Sequence, residues 1–123
     1  MNPPTLLIKQ LYELAVEGIF LGFLQQDPDV LKEINVFKGN VNIINDRLVF
    51  TLPALFDFAS NQFEQSHLHK LPRTRSNYLA FRKQLYNNPT NTLLQQQGGM
   101  VEMEQSDDDH DMSRYRLRRL SSL

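Results

Sequence analysis

The chain has 123 residues, 41% of them hydrophobic, with eight Phe and four Tyr, which suits one folded domain and excludes wholesale disorder. It sets 13 Lys/Arg against 14 Asp/Glu for a net charge of −1, so it is no uniformly basic polymer binder; with no Cys it has no disulfide, thiolate metal site or cysteine nucleophile. The start lacks the basic region and small-residue cleavage site of a secretory signal, and the longest apolar run, Gly18 to Leu24, is seven residues and too short to span a bilayer. We therefore expect a soluble, cytoplasmic protein without membrane contact.

The first predicted element is a helix. Thr5, after Pro3-Pro4, is placed to cap it, and Leu7, Leu11, Leu14, Gly18 and Leu21 recur at three- and four-residue spacing. From Leu14 onward the sequence is apolar nearly all round, broken by Glu17, and such a helix is either deeply buried or covered by another subunit. The expectation drawn from it is a homodimer through residues 14–24, with Gly18 and Gly22 open to close backbone approach. Asp27-Pro28-Asp29 ends this helix and opens a short second one through Ile34.

Residues 41–50, VNIINDRLVF, read as two strands about an Asn45-Asp46 turn. Pairing across that turn sets Val41 opposite Phe50 and Ile43 opposite Leu48 on one face, with Asn42 opposite Val49 and Ile44 opposite Arg47 on the other. Pro53 begins a third helix with the stripe Leu55, Phe56, Ala59 and Phe63. Pro72 disfavours helix in the Lys70–Arg75 loop, and a fourth helix follows from Ser76 to Tyr86. Its apolar side is Tyr78, Leu79, Phe81, Leu85 and Tyr86; its outward side is Asn77, Ala80, Lys83, Gln84 and Asn87. Asn88-Pro89 closes it, and a short turn through Leu93-Leu94 follows.

Residues 100–105 and 112–119 both alternate with period two around the acidic stretch 106–111. A register centred on Asp109 sets Val101 opposite Leu117 and Met103 opposite Tyr115. The same register sets Glu102 opposite Arg116 and Glu104 opposite Arg114, pairs that stabilise a hairpin by roughly 0.2–1 kcal/mol each. The expected fold is α+β: a single domain over residues 1–119 with about four helices and two antiparallel hairpins in the order α-α-ββ-α-α-ββ. Residues 120–123 are expected to be a loose C-terminus. Whether the hairpins share a sheet is left open.

Charge is unevenly distributed. Residues 65–101 hold Lys70, Arg73, Arg75, Arg82 and Lys83 and no acid, whereas residues 1–64 carry four basic and eight acidic side chains and residues 102–123 carry four and six. A cationic stretch in an otherwise acidic chain points to an anionic partner. Over residues 53–119 the order helix, basic loop, helix, hairpin is similar to that of winged-helix DNA-binding domains. That resemblance implies phosphate contacts by Lys70, Arg73 and Arg75 in the turn and base reading by the outward amides of Asn77, Gln84 and Asn87 beside Lys83. The expected nucleic-acid-binding cations are Lys70, Arg73, Arg75, Arg82 and Lys83. The acidic tip of the supposed wing, residues 107–111, opposes it. The competing expectation is a protein adaptor whose cationic face meets an acidic protein. A third is that the acidic tip lies over the cationic loop and screens it until a partner displaces it.

Other chemistry finds little support. His67, His69 and His110 lack a converging third ligand for zinc, and the acidic run lacks the loop spacing and glycine of a calcium loop. No nucleophile elbow, phosphate-cradling glycine loop or metalloprotease pair is present. Glu13 and Glu17 read as the wet side of a helix, and the residues 118–121, RRLS, as a chance match to a basophilic kinase pattern. The expectation is a small, non-enzymatic regulatory or accessory protein without metal or cofactor.

Overall fold

The structure is a computed structural model that describes residues 3–67, 70–108 and 110–120, with backbone only for 3–6 and 110. Helix α1 (Pro3–Glu13) runs into a π-helical segment (Leu14–Phe20) and a last α-helical turn, α2 (Leu21–Leu24). Thr5 lies inside α1, not at its cap, because the helix starts at Pro3, a residue tolerated in a first turn that needs no N–H. In a π-helix each N–H reaches five residues back, so residues five apart share a face. Ala15 and Phe20 are such a pair, and both are buried. The wider turn thus lets a stretch that is apolar nearly all round face one core.

The remaining helices are α3 (Pro28–Val36), α4 (Leu52–His67), α5 (Arg75–Asn87) and the short α6 (Thr90–Gln95). Asp27 caps α3 by accepting the Asp29 N–H at 3.0 Å, and Thr74 caps α5 by accepting the Asn77 N–H at 3.1 Å. Gly22 is where α2 meets α3: a Cβ there would lie 2.6 Å from Val30 Cγ2. Gly18, in contrast, is exposed and approached only by Leu14 of its own helix. The apolar surround that suggested a dimer through residues 14–24 is thus largely met within the chain: Ala15, Val16, Ile19, Phe20, Phe23 and Leu24 are buried in its own core.

Strands β1 (Val41–Ile44), β2 (Arg47–Thr51), β3 (Gly99–Gln105) and β4 (Arg114–Arg119) form one antiparallel sheet in the order β1-β2-β4-β3. The first hairpin has the predicted register, Val41 to Phe50 through Ile44 to Arg47, around Asn45 and Asp46 with φ of 52° and 60°. The second pairs Val101 with Leu117, Glu102 with Arg116 and Met103 with Tyr115, also as predicted. It departs at Glu104: a bulge sets Gln105, not Glu104, opposite Arg114. Asp109, the centre of the predicted register, lies outside the described residues, as do His69 and residues 121–123. Leu120 is not loose; it is half-buried, and its N–H donates to Gly98 O at 2.9 Å.

Joining β2 to β4 makes one α+β unit. Val41, Leu48, Phe50, Tyr115 and Leu117 point from the sheet into a core shared with Phe20, Phe23, Leu55, Phe56, Phe63 and Phe81. The winged-helix arrangement expected for residues 53–119 is not confirmed: β4 lies inside a four-stranded sheet between β2 and β3, so the second hairpin is continuous with the first. On α5 only Tyr78 and Phe81 of the predicted apolar side are buried; Leu79 and Tyr86 are exposed, and Leu85 is half-buried.

Candidate functional site

The acid-free segment folds against acids from its flanks. Arg73 lies in the loop between α4 and α5, beside the α4 carboxylates Asp57 and Glu64. Its Nη1 and Nη2 donate to the two oxygens of Glu64 at 2.7 and 3.1 Å, and its Nε donates to Asp57 at 3.2 Å. Further bonds go to Leu71 O and the Asn61 side chain, so every guanidinium nitrogen is engaged. Glu64 also accepts the Leu71 N–H at 2.6 Å. The bonds from Arg73 and then Leu71 hold the Glu64 carboxyl down to about 2, and Glu64 in turn raises the Arg73 guanidinium.

Asp111 plays the matching part on the far side of α5. Its carboxylate accepts Tyr78 Oη at 2.5 Å, Arg75 Nη1 at 2.6 Å and Arg82 Nη1 at 3.0 Å. Those bonds, Tyr78 first and Arg75 next, hold Asp111 below the usual carboxylate range; burial first and then Asp111 push the Tyr78 hydroxyl up. The loop carrying Asp111 is itself tied back, with the Asp107 N–H donating to the buried Ser113 Oγ at 3.0 Å. A carboxylate of the acidic stretch therefore does lie over two of the predicted binding cations.

Of the amides assigned to base reading, Asn77 and Gln84 are used locally, and Asn87 is exposed. Asn77 Nδ2 donates to Pro72 O at 2.9 Å, and Gln84 Oε1 accepts Asn88 Nδ2 at 2.9 Å at the other end of α5. Lys70 and Lys83 are exposed. The seven predicted residues thus do not form one open surface: Arg73 turns to α4, Arg75 and Arg82 turn to Asp111, and the Asn77 and Gln84 amides bond Pro72 and Asn88.

A second cationic surface arises on the open face of the sheet. Alternation along β4 places Arg114, Arg116 and Arg118 on the face away from Tyr115 and Leu117, and Arg47 joins them from β2. Opposite them stand Glu102 and Glu104. Arg116 and Arg118 both bond the same Glu102 oxygen, at 2.8 and 2.7 Å through their Nε atoms, and Arg47 reaches Glu104 at 3.6 Å. Arg116, the largest influence, holds Glu102 below its ordinary range. Arg114 bonds the neutral Gln105 side chain. Val49, opposite Arg116, is buried on this side although it lies outside the main core; long arginine stems can shield such a residue while their heads stay wet.

Sequence inspection missed this surface because Glu102 and Glu104 cancel it in any count along the chain. The period-two spacing of Arg114, Arg116 and Arg118 was the signal that could have found it. Arg119, next in line, faces the other way: its Nη1 and Nη2 donate to the C-terminal carbonyls of α2, Leu24 O at 2.6 Å and Phe23 O at 3.0 Å, and Asp46 takes its Nε.

Among the described residues no three His, Asp or Glu side chains converge to hold a metal ion. His67 Nδ1 lies 2.8 Å from Ser66 Oγ, and its ring stacks on Phe63 with centroids 4.1 Å apart. No described helix is long and apolar enough to cross a membrane. Comparison with known families, with curated proteins and with solved structures finds no match to this chain.

Proposed function

We propose that this chain is a non-enzymatic binding module for nucleic acid, and that it meets the phosphate backbone with the open face of its sheet. The observation that carries the reading is the unequal use of arginine donors. Arg73 spends all its nitrogens inside the protein, whereas Arg116 and Arg118 share one carboxylate and Arg114 has an amide partner. A guanidinium presents five N–H donors in a fork that matches phosphate, so the sheet arginines keep donors to offer. No base-reading group is assigned, and the contact is expected to be indifferent to sequence.

The test is fluorescence anisotropy with a labelled single strand and a labelled duplex across a salt series. Affinity should fall linearly on a log–log plot with a slope set by the phosphates contacted. The double variant Arg114→Glu, Arg118→Glu should abolish binding, and Lys70→Glu, Lys83→Glu should weaken it far less. The reverse ranking would move the site to α5 and its loop. No binding of either form at low salt would end the nucleic-acid reading. Retention of polyglutamate in that same experiment would favour an acidic protein partner instead.

A further inference from the structure

On the other side of the sheet a cleft of about 360 Å³ opens between the sheet centre, the start of α4 and the α5–α6 connection. Its floor is apolar: Phe20, Phe50, Leu52, Leu55 and Val101 line it, with the Phe20 and Phe50 rings 5.5 Å apart and Phe50 stacked on Tyr115 at 6.0 Å. We propose that this cleft binds a small, uncharged, largely apolar molecule that carries one hydrogen-bond acceptor. The inference is independent of the nucleic-acid reading, since it concerns the opposite face of the sheet.

Three observations define the occupant. The first is size. An apolar space of roughly 150 Å³ holds benzene, so one more than twice as large admits a two-ring molecule.

The second is charge. No carboxylate, ammonium or guanidinium is among the lining residues, so a charged ligand would lose its hydration without gaining a partner.

The third is the state of the polar groups at the rim. Asn91 is spent: its Oδ1 accepts the Val101 N–H and its Nδ2 donates to Val101 O, both at 2.8 Å. That pairing covers part of the β3 edge and holds α6 against it, so this wall is set before a ligand arrives. Thr90 Oγ1 lies 2.8 Å from Tyr12 Oη and 3.3 Å from Leu85 O, within the protein. Tyr86 and Tyr115 differ. Their hydroxyls lie 3.0 Å apart and hold two protons, of which one bridges the pair. The other has no acceptor among the described residues and is available to a ligand oxygen. Burial, aided by the Tyr86 bond, pushes the Tyr115 hydroxyl up to about 12, so Tyr115 keeps its proton at neutral pH. Tyr115 is buried and Tyr86 is 58% exposed, which places the donor where floor meets rim.

The test uses the full chain and N-phenyl-1-naphthylamine, a neutral probe that brightens in apolar sites. Saturable, one-to-one enhancement is expected, with displacement by 1-acetonaphthone and by 1-ethylnaphthalene, the second lacking the acceptor. The double variant Tyr86→Phe, Tyr115→Phe keeps both rings and removes both donors. It should weaken 1-acetonaphthone by roughly three- to tenfold, the worth of one hydrogen bond, and leave 1-ethylnaphthalene unchanged. Thr92→Trp, on the exposed rim, should block all three compounds. Methyl NMR of the unaltered protein should show 1-acetonaphthone shifting Leu52, Leu55, Leu85 and Val101. Absence of saturable binding, shifts confined to other methyls, or undiminished binding to a folded Thr92→Trp variant would each overturn the site. Equal affinity for naphthalene-1-sulfonate would overturn the uncharged assignment.

Discussion

The α4–α5 corner and the open sheet face have the same excess charge and use it in opposite ways. The corner brings five cations, Lys70, Arg73, Arg75, Arg82 and Lys83, to three carboxylates, Asp57, Glu64 and Asp111. The face brings four arginines, Arg47, Arg114, Arg116 and Arg118, to two, Glu102 and Glu104. Each is left with two positive charges. In the corner, acids from α4 and from the β3–β4 loop close around individual guanidinium groups, and the bonds tie a loop to two helices. On the face the partners lie across the strands of one sheet, and two cations compete for one oxygen. The first arrangement spends charge on holding the fold together. The second leaves donors for something else. A charge count cannot separate the two; a count of satisfied donors can.

The sharpest way to break this comparison is Arg73→Ala. It strips Glu64 and Asp57 of their partner and frees the loop, and it should lower stability by about 2–3 kcal/mol in urea unfolding, from the loss of charged hydrogen bonds. A loss below about 0.5 kcal/mol, the level of an exposed surface pair, would make the corner no more structural than the face.

Acid titration gives the next largest effect. Glu64 titrates at about 2 in the folded protein against an ordinary 4.5, so its contribution is full above 4.5. The unfolded chain takes up the proton first as pH falls, and the contribution is lost between about 4.5 and 2. Glu64→Gln should therefore destabilise the protein at pH 7 and flatten the acid limb of its stability curve, with Asp111 and Glu102, both also held low, supplying the slope that remains.

Asp111→Asn should cost less, about 1 kcal/mol, because the amide oxygen can still accept the Tyr78 hydroxyl. It also releases a negative charge from Arg75 and Arg82. If that variant bound polyanions as tightly as the unaltered chain, the corner would contribute nothing to binding even when unmasked. Tighter binding would give the acidic loop the screening role considered from the sequence.

The smallest stability effect belongs to the face. Arg116→Gln and Arg118→Gln should each change stability by under about 0.5 kcal/mol while weakening oligonucleotide binding and reducing its salt slope. A larger loss of stability with unchanged binding would reverse the roles of the two regions.

Much of the fold was legible along the chain because the signals were short-range. Asn45-Asp46 can take positive φ, so the first hairpin had one register that buries Val41, Leu48 and Phe50 together. Val101 with Leu117 and Glu102 with Arg116 were readable in the same way. The Glu104 bulge was not, because the alternation runs through Glu104 without a break and carries no mark of the register shift. The π-helical turn was illegible too: an apolar surround says that a helix is covered, not how its hydrogen bonds rearrange to cover it.

The candidate site was read less well, for a related reason. Lys70, Arg73, Arg75, Arg82 and Lys83 were visible as a run without acids, but the carboxylates that meet the three arginines lie 9 to 36 residues away, as from Arg73 to Glu64 and from Arg75 to Asp111. The amino-acid sequence by itself determined the strands, the Asn45-Asp46 turn, the first hairpin register and the second as far as its bulge, since period and turn chemistry act between neighbours. Tertiary structure alone decided that β2 would join β4, that one arginine set would be consumed and that another would stay open. Electrostatic pairing depends on distance in space, and that distance exists only once the core has closed.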